Sequence, residues 1–444
     1  MADRNQVINR CDQIMFYALC GLAWFLPISI ALVEWMFAIA FIAWITKRGV
    51  IFSSLMQAES PSAWLSRVKL FGLSFKPKQN AINLPVLVFF AVIIVSAVFG
   101  IHPLKSLSAI LTKVLQWFFT AIIVVEVVTS KKRLRIMGAV LLASVVLVTL
   151  NGLFQYMTGT GLIRQRVVMD GRRVMSTFRH PNDLAGWLTI MLPLVFSFSF
   201  IQFFRMREGR DAFLEGSDDS GFFQSRLFVA LSALLLALAA FNLGVTYSRG
   251  GWLACGVVLL ALVIRKPKML IPFALIGSLF LAVFVVKMIG DRETNIGGSY
   301  VNIFTNVSDR GKIWGEGWGP VRERPLLGIG VNNYVEMAEK RHFVWQQYAH
   351  NCYLQMLVET GVLGLAVFLW ILVRLFREGL RQLPKVRDRF PHHFLLGLLA
   401  GQAAFLIQSF FDTNFYSTQL SSLMWLTAGL IMAIPRVELD RDGQ

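Results

Sequence analysis

Three short stretches combine residue types able to move a proton or hold an anion. The first, Ser176-Thr177-Phe178-Arg179-His180-Pro181-Asn182-Asp183, reads as a helix start. Pro181 suits a first helical turn, and Asn182 or Asp183 can cap exposed N–H groups. A helix N-terminus beside Arg179 is also a natural anion site. The second, Tyr247-Ser248-Arg249-Gly250-Gly251, sets a guanidinium beside paired glycines, which let another backbone or a ligand come close. The third begins with Ser308-Asp309-Arg310-Gly311-Lys312-Ile313-Trp314, passes Arg324-Pro325-Leu326-Leu327-Gly328-Ile329-Gly330 and ends at His350-Asn351-Cys352-Tyr353-Leu354-Gln355. Histidine changes charge nearest neutral pH, so His350 could accept a proton from a hydroxyl. Each stretch also has a plainer reading: a helix cap, a snorkelling arginine, a satisfied interfacial histidine.

The elements that must position these residues are membrane spans. Of 444 residues, 56% are hydrophobic and 16% charged, where a soluble chain carries about 25% charge. Mean hydropathy is +0.60. A span needs about 20 mostly apolar residues. The pattern predicts an all-α, polytopic membrane protein formed as one helical domain over 1–444, with about twelve spans: 12–27, 29–46, 84–100, 107–128, 136–157, 184–204, 227–245, 251–264, 269–288, 352–373, 394–410 and 418–434. The first follows Arg4 and Arg10 without a clear cleavage site and reads as a retained anchor. Twelve spans put both termini on one side. With that side cytoplasmic, 27 Lys and Arg fall inside and 14 outside, which satisfies the positive-inside rule. The net charge of +17 is therefore distributed about a membrane and does not mark a nucleic-acid binder.

With this orientation all three stretches face outward. The outer basic residues are 11 Arg against three Lys. Segment 158–183 alone holds Arg164, Arg166, Arg172, Arg173 and Arg179. Guanidinium pairs bidentately with phosphate, so this face suits a phosphate or pyrophosphate; lipid headgroups or loop acids such as Asp170 are the other partners open to it. Segment 289–351, between spans nine and ten, is a long outer loop rich in Trp and Gly, expected to be ordered and membrane-facing. Residues 63–71 should form an amphipathic helix flat on the cytoplasmic leaflet, and 208–221 a mobile, acidic loop. Cys11, Cys20, Cys255 and Cys352 show no paired spacing, and Asp291-Arg292-Glu293 is the nearest acidic pair. There is no P-loop, dinucleotide turn or Ser-nucleophile motif. Outward chemistry would thus rest on Arg and His, with no metal and no cofactor.

Read together and in order, the segments 176–185, 247–252, 325–330 and 350–364 resemble the O-antigen ligase family, within the wider group of O-antigen polymerases and protein O-oligosaccharyltransferases. The likeness runs over about 170–375. It implies an inner-membrane, multi-pass, metal-independent, inverting glycosyltransferase with its active site facing the periplasm. Such an enzyme moves a finished glycan from undecaprenyl pyrophosphate to a sugar hydroxyl of lipid A–core. Carried over residue by residue, His350 matches the general base, and Arg249 and Arg310 the arginines near the pyrophosphate. Arg179, His180, Asn182 and Asn351 belong to motifs bordering the same cavity, with Arg179 at a variable position. A loop over 289–351 would roof it, and both lipid-anchored substrates would enter from the bilayer.

Two rivals use the same carrier, a polymerase and a protein O-glycosylating enzyme, and no single residue separates them. A glycolipid transporter, working through Glu34, Lys113, Glu126, Lys287 and Glu359, is of another class. It should show inverted repeats and broken helices near the midplane. No such pairing is found in the sequence.

Overall fold

The computed structural model describes residues 2–59, 64–169, 173–201, 203, 225–264, 305–343 and 348–439. The expected mobile loop 208–221, span 269–288 and the first part of the outer loop, 289–304, lie outside these. The described residues are helical, with two isolated bridges, Thr160 to Val167 and Met169 to Arg173.

Among the described residues fifteen α-helices follow in order: α1 (Ala2–Phe25), α2 (Ile30–Glu59), α3 (Trp64–Phe75), α4 (Asn83–Val98), α5 (Pro103–Ala109), α6 (Leu115–Val127), α7 (Lys131–Thr158), α8 (Pro181–Phe196), α9 (Arg226–Val245), α10 (Arg249–Val263), α11 (Thr305–Glu323), α12 (Tyr334–Lys340), α13 (Cys352–Gln382), α14 (Arg389–Gln408) and α15 (Thr418–Leu439). Short π-helical turns join α5 to α6 and extend α8. Among the described residues seven segments are long and apolar enough to cross a membrane: Ile30–Glu59, Pro103–Val127, Lys131–Thr158, Arg226–Val245, Cys352–Lys385, Arg389–Gln408 and Thr418–Val437. Asn83–Val98 and Arg249–Val263 are apolar but shorter. Helices lie at the expected spans other than 269–288, but among the described residues seven segments, not twelve, are both long and apolar enough to cross a membrane. Residues 64–75 form the expected short helix, with Trp64, Leu65, Val68 and Phe71 exposed.

Core packing is extensive. Side chains of α1, α2, α4, α6–α9 and α13–α15 share one apolar cluster, in which α8 and α15 are almost wholly buried. Glu126, the acid at the end of α6, is neutralised at the opposite end of the bundle from Arg249. It accepts Trp44 Nε1 at 2.9 Å, pairs with Lys47 at 2.7 Å and pairs with Arg48. Lys47 also reaches Asp12 at 2.6 Å. Paired in this way, a buried carboxylate no longer needs a transport role to account for it.

The Gly-rich motif and the middle of α13 meet as one backbone clasp. Ile329 N donates to Val358 O at 3.0 Å, Gly330 N to Glu359 O at 2.9 Å and Val362 N to Pro325 O at 2.8 Å. Ser96 Oγ donates to Leu327 O at 2.6 Å. The clasp requires α13 to break at Gly361, whose φ is +67°. A Cβ at Gly328 would fall 2.5 Å from Val358 O, so glycine is the residue that fits. Tyr334 N donates to Glu359 Oε1 at 3.2 Å, which ties the start of α12 to the same point. The described part of the expected outer loop is thus built of helices α11 and α12, anchored on α13 and α4.

Candidate active site

His350 is placed by its backbone and by the helix that follows. Its φ of +49° is in the left-handed region, uncommon for a non-glycine residue and held by its surroundings. Asn351 then caps α13, its Oδ1 accepting Tyr353 N and Leu354 N at 3.0 Å each. The turn between α14 and α15 is stitched to this start. Cys352 N donates to Ser409 O at 2.9 Å, Cys352 Sγ to Asp412 O at 3.0 Å, and Phe415 N to Cys352 Sγ at 3.3 Å. In consequence His350 Nδ1 stands 3.6 Å from Asp412 Oδ1, an ion-pair separation slightly beyond hydrogen-bond length. Burial acts most strongly on the Asp412 carboxyl and pushes it up. The His350 imidazole, the Thr413 N–H at 2.8 Å and the Arg310 guanidinium outweigh it and leave the carboxyl below its usual range.

Arg249 and Arg310 join this pair from two other helices. Arg249 is the first residue of α10, whose cap is Ser248; Tyr247 before it has φ +56°. A Cβ at Gly250 would lie 3.1 Å from Phe411 Cβ, and one at Gly251 3.3 Å from Ala185 Cβ. The first turn of α10 therefore rests on the residue before Asp412 and on α8. Arg310 lies one turn before Trp314 on α11. Trp314 Nε1 donates to Ala349 O at 3.1 Å and its ring meets Phe410 edge-on at 5.5 Å. One indole thus pins α11 both to the residue before His350 and to the turn that carries Asp412. Burial foremost, then the Arg249 charge, holds the Arg310 guanidinium below its usual range, with Asp412 acting the other way. His350, Asp412, Arg310 and Arg249 form one continuous electrostatic set.

The first stretch lies beside this set and is spent mostly on structure. The cap of α8 is His180, in place of the expected Asn182 or Asp183: its Nδ1 accepts Asn182 N at 3.2 Å. Pro181 explains the shift, because the residue before proline is driven out of helical geometry and so must be the cap. Asn182 Oδ1 accepts Arg173 Nη2 at 2.9 Å, and Arg173 Nε donates to Thr246 O at 2.9 Å. Arg173 in this way bridges the start of α8 to the turn before Arg249. Arg179 is exposed and lies within the field of Asp183, which in turn feels Asp412.

Residues 233–369 match a family model described as O-antigen ligase. The likeness to that family is confined to this segment. It holds Arg249, Arg310, His350 and Asn351, while Arg179, His180, Asn182 and Asp412 lie outside it. A curated relative, the exopolysaccharide production protein ExoQ of Rhizobium meliloti (strain 1021), is 26% identical over 144 residues. The match covers 30% of this chain and 32% of ExoQ, so the chain spans about a third of that relative's length.

A pocket is lined by residues of α4, α6, α13 and α15. Its walls are largely aromatic, including Phe89, Trp117, Phe118 and Trp425, with Lys113 and Glu359 among them. None of His350, Arg249 or Arg310 lines it. Tyr348 and Tyr416, whose rings stand 6.0 Å apart, line it and lie close in sequence to His350 and Asp412. Among the described residues no group of three or more His, Cys, Asp or Glu could hold a metal.

Sequence reasoning about the O-antigen ligase motifs missed Asp412, Trp314 and Arg173 as parts of this arrangement. For Asp412 a signal existed: the outer turn 411–417 contains one carboxylate and no basic residue to pair with it. Arg173 and Trp314 act through a main-chain carbonyl, which no residue pattern reveals.

Proposed function

We propose that this membrane protein of the O-antigen ligase type is a glycosyltransferase that moves a glycan from undecaprenyl pyrophosphate to a sugar hydroxyl of lipid A–core. The reaction faces the periplasm from the inner membrane, with both termini cytoplasmic. The observation that carries the reading is the approach of His350 to Asp412 in the field of Arg310 and Arg249.

Each group has a task in an inverting displacement. The acceptor oxygen attacks the anomeric carbon, the bond from that carbon to the pyrophosphate oxygen breaks, and the hydroxyl proton passes to His350. With Asp412 facing Nδ1, that nitrogen keeps its hydrogen and Nε2 is the free base; proton transfer of this kind is worth about 10²–10⁴-fold. Arg249 and Arg310 face the pyrophosphate, whose charge grows as it leaves, and their fixed positions stabilise it without reorganisation. Asn351, His180 and Asn182 hold helix starts and neighbouring residues in register. The aromatic pocket suits a prenyl chain, with Tyr348, close in sequence to His350, in its lining. Holding two lipid-anchored partners together supplies the proximity term.

A second reading is a glycan polymerase on the same carrier, favoured by the name of the exopolysaccharide-producing relative. Purified protein supplied with undecaprenyl-pyrophosphate-linked repeats, with and without lipid A–core, separates them. Glycan on lipid A–core supports the ligase. Elongation of the carrier-linked glycan alone supports the polymerase.

A further inference from the structure

The far end of α13 from His350 carries a charged group that the proposed transfer does not use. Arg374, Arg377, Glu378 and Arg381 occupy positions i, i+3, i+4 and i+7, so they lie along one helix face. All four line a single pocket together with Ala81. The other side of the helix packs inward: a Cβ at Gly379 would lie 2.7 Å from Leu399 Cδ2 of α14 and 3.1 Å from Ile431 Cγ2 of α15. The three arginines are exposed and face away from that packing.

Their charge is only partly met. Glu378 Oε1 accepts Arg381 Nη2 and Gln382 Nε2, both at 2.8 Å. Arg374 Nε donates to Ala81 O at 3.2 Å, which occupies one of its N–H groups. Arg377 has no ion pair and no hydrogen bond among the described residues. Three guanidiniums thus share one carboxylate, and Arg381 already engages it.

The α4–α13 pair sets the depth of this pocket. Ser96 Oγ donates to Glu359 O at 3.0 Å at one end of the pair, and Arg374 reaches Ala81 at the other. The intervening length of α4 is roughly 20 Å, and His350 lies beyond Glu359, at the start of α13. On the arginine face Trp370 stands exposed one turn before Arg374, with Val373 and Leu380 exposed at its flanks. Cys352–Lys385 is long and apolar enough to cross a membrane. An exposed tryptophan followed by arginines marks the level where hydrocarbon gives way to headgroups. A guanidinium pocket at that level, opening away from the bundle, meets lipid phosphate, which its planar donors fit bidentately.

We propose that Arg374, Arg377 and Arg381 bind the headgroup phosphate of an acidic phospholipid in the leaflet opposite His350. The lipid would seat against α13 and the chain just before α4. This site does not depend on the glycosyltransferase reading.

Native mass spectrometry of the full-length protein in maltoside detergent, with dioleoylphosphatidylglycerol added stepwise, tests the site. Affinity for the first lipid bound should fall about tenfold or more in Arg374→Gln/Arg377→Gln, the loss of charge-assisted pairing. It should fall by a smaller factor in Arg377→Gln, whose side chain makes no contact that the fold needs and whose replacement keeps good helix propensity. Dioleoylphosphatidylcholine should bind equally to all forms. Arg387→Gln, which removes the same charge from an exposed position outside the pocket, should bind phosphatidylglycerol like wild type. Unchanged affinity in the double variant, or an equal loss in Arg387→Gln, overturns the proposal. Millimolar inorganic phosphate should leave the bound lipid in place; its displacement would make the pocket a site for free phosphate and overturn the lipid assignment.

Discussion

His350 Nδ1 and Asp412 Oδ1 stand 3.6 Å apart, although α13 and α14 separate them in sequence. The chain runs away from His350 along α13 and returns along α14, so the turn after α14 ends where α13 began. Cys352, bonded to Ser409, Asp412 and Phe415, fixes that return.

Removing either member of the pair should therefore stop proton transfer while sparing donor binding. His350→Ala is expected to lower kcat by about 10²–10⁴-fold, and Asp412→Asn by at least about tenfold, with donor KM nearly unchanged in both. Steady-state transfer with purified substrates measures this. An Asp412→Asn enzyme of wild-type kcat would remove Asp412 from the mechanism.

Arg249→Lys should fail nearly as badly as Arg249→Ala, because an ammonium is a point charge that cannot make the bidentate pair. The expected loss in kcat/KM is about tenfold or more for each. Full activity with lysine would reduce Arg249 to an anchor at the membrane interface.

The depressed Asp412 carboxyl also fixes the sign of a pH effect. The folded state gives up this proton more readily than the unfolded chain, so the group stabilises the fold above its unfolded value of about 3.9. That contribution is lost as pH falls through the lower, folded value. The melting-temperature gap between wild type and Asp412→Asn should accordingly narrow below about pH 4. A gap that widens on acidification contradicts the assignment.

Gly361→Ala should destabilise the protein by more than about 2 kcal/mol. The added Cβ would overlap the Leu326 carbonyl in a residue whose φ is +67°. Thermal unfolding in detergent reads this out, and a variant as stable as wild type would mean that the clasp does not form.

Transfer should survive EDTA, since the proposed steps use arginine and histidine alone. Loss of activity that Mg²⁺ or Mn²⁺ restores would reveal a metal site that the proposal lacks.

The helical, membrane-spanning class was legible in the sequence, because long apolar runs leave the backbone no choice but to satisfy itself within a helix. Arg249 and His350 could be singled out because their types and their place at helix starts are local properties, and Arg310 because its motif takes part in the family resemblance. The helix over Trp64–Phe75 was legible for the same reason. Only the tertiary structure decided what stands next to them. Asp412 reaches His350 through a hairpin of two long helices, Trp314 holds α11 through a main-chain carbonyl, and His180 displaces Asn182 as the cap under the influence of Pro181. The clasp between Pro325–Gly330 and Gly361 is likewise a backbone pairing between distant segments. Such contacts depend on where two helices end relative to each other, a quantity that packing sets and local sequence does not encode.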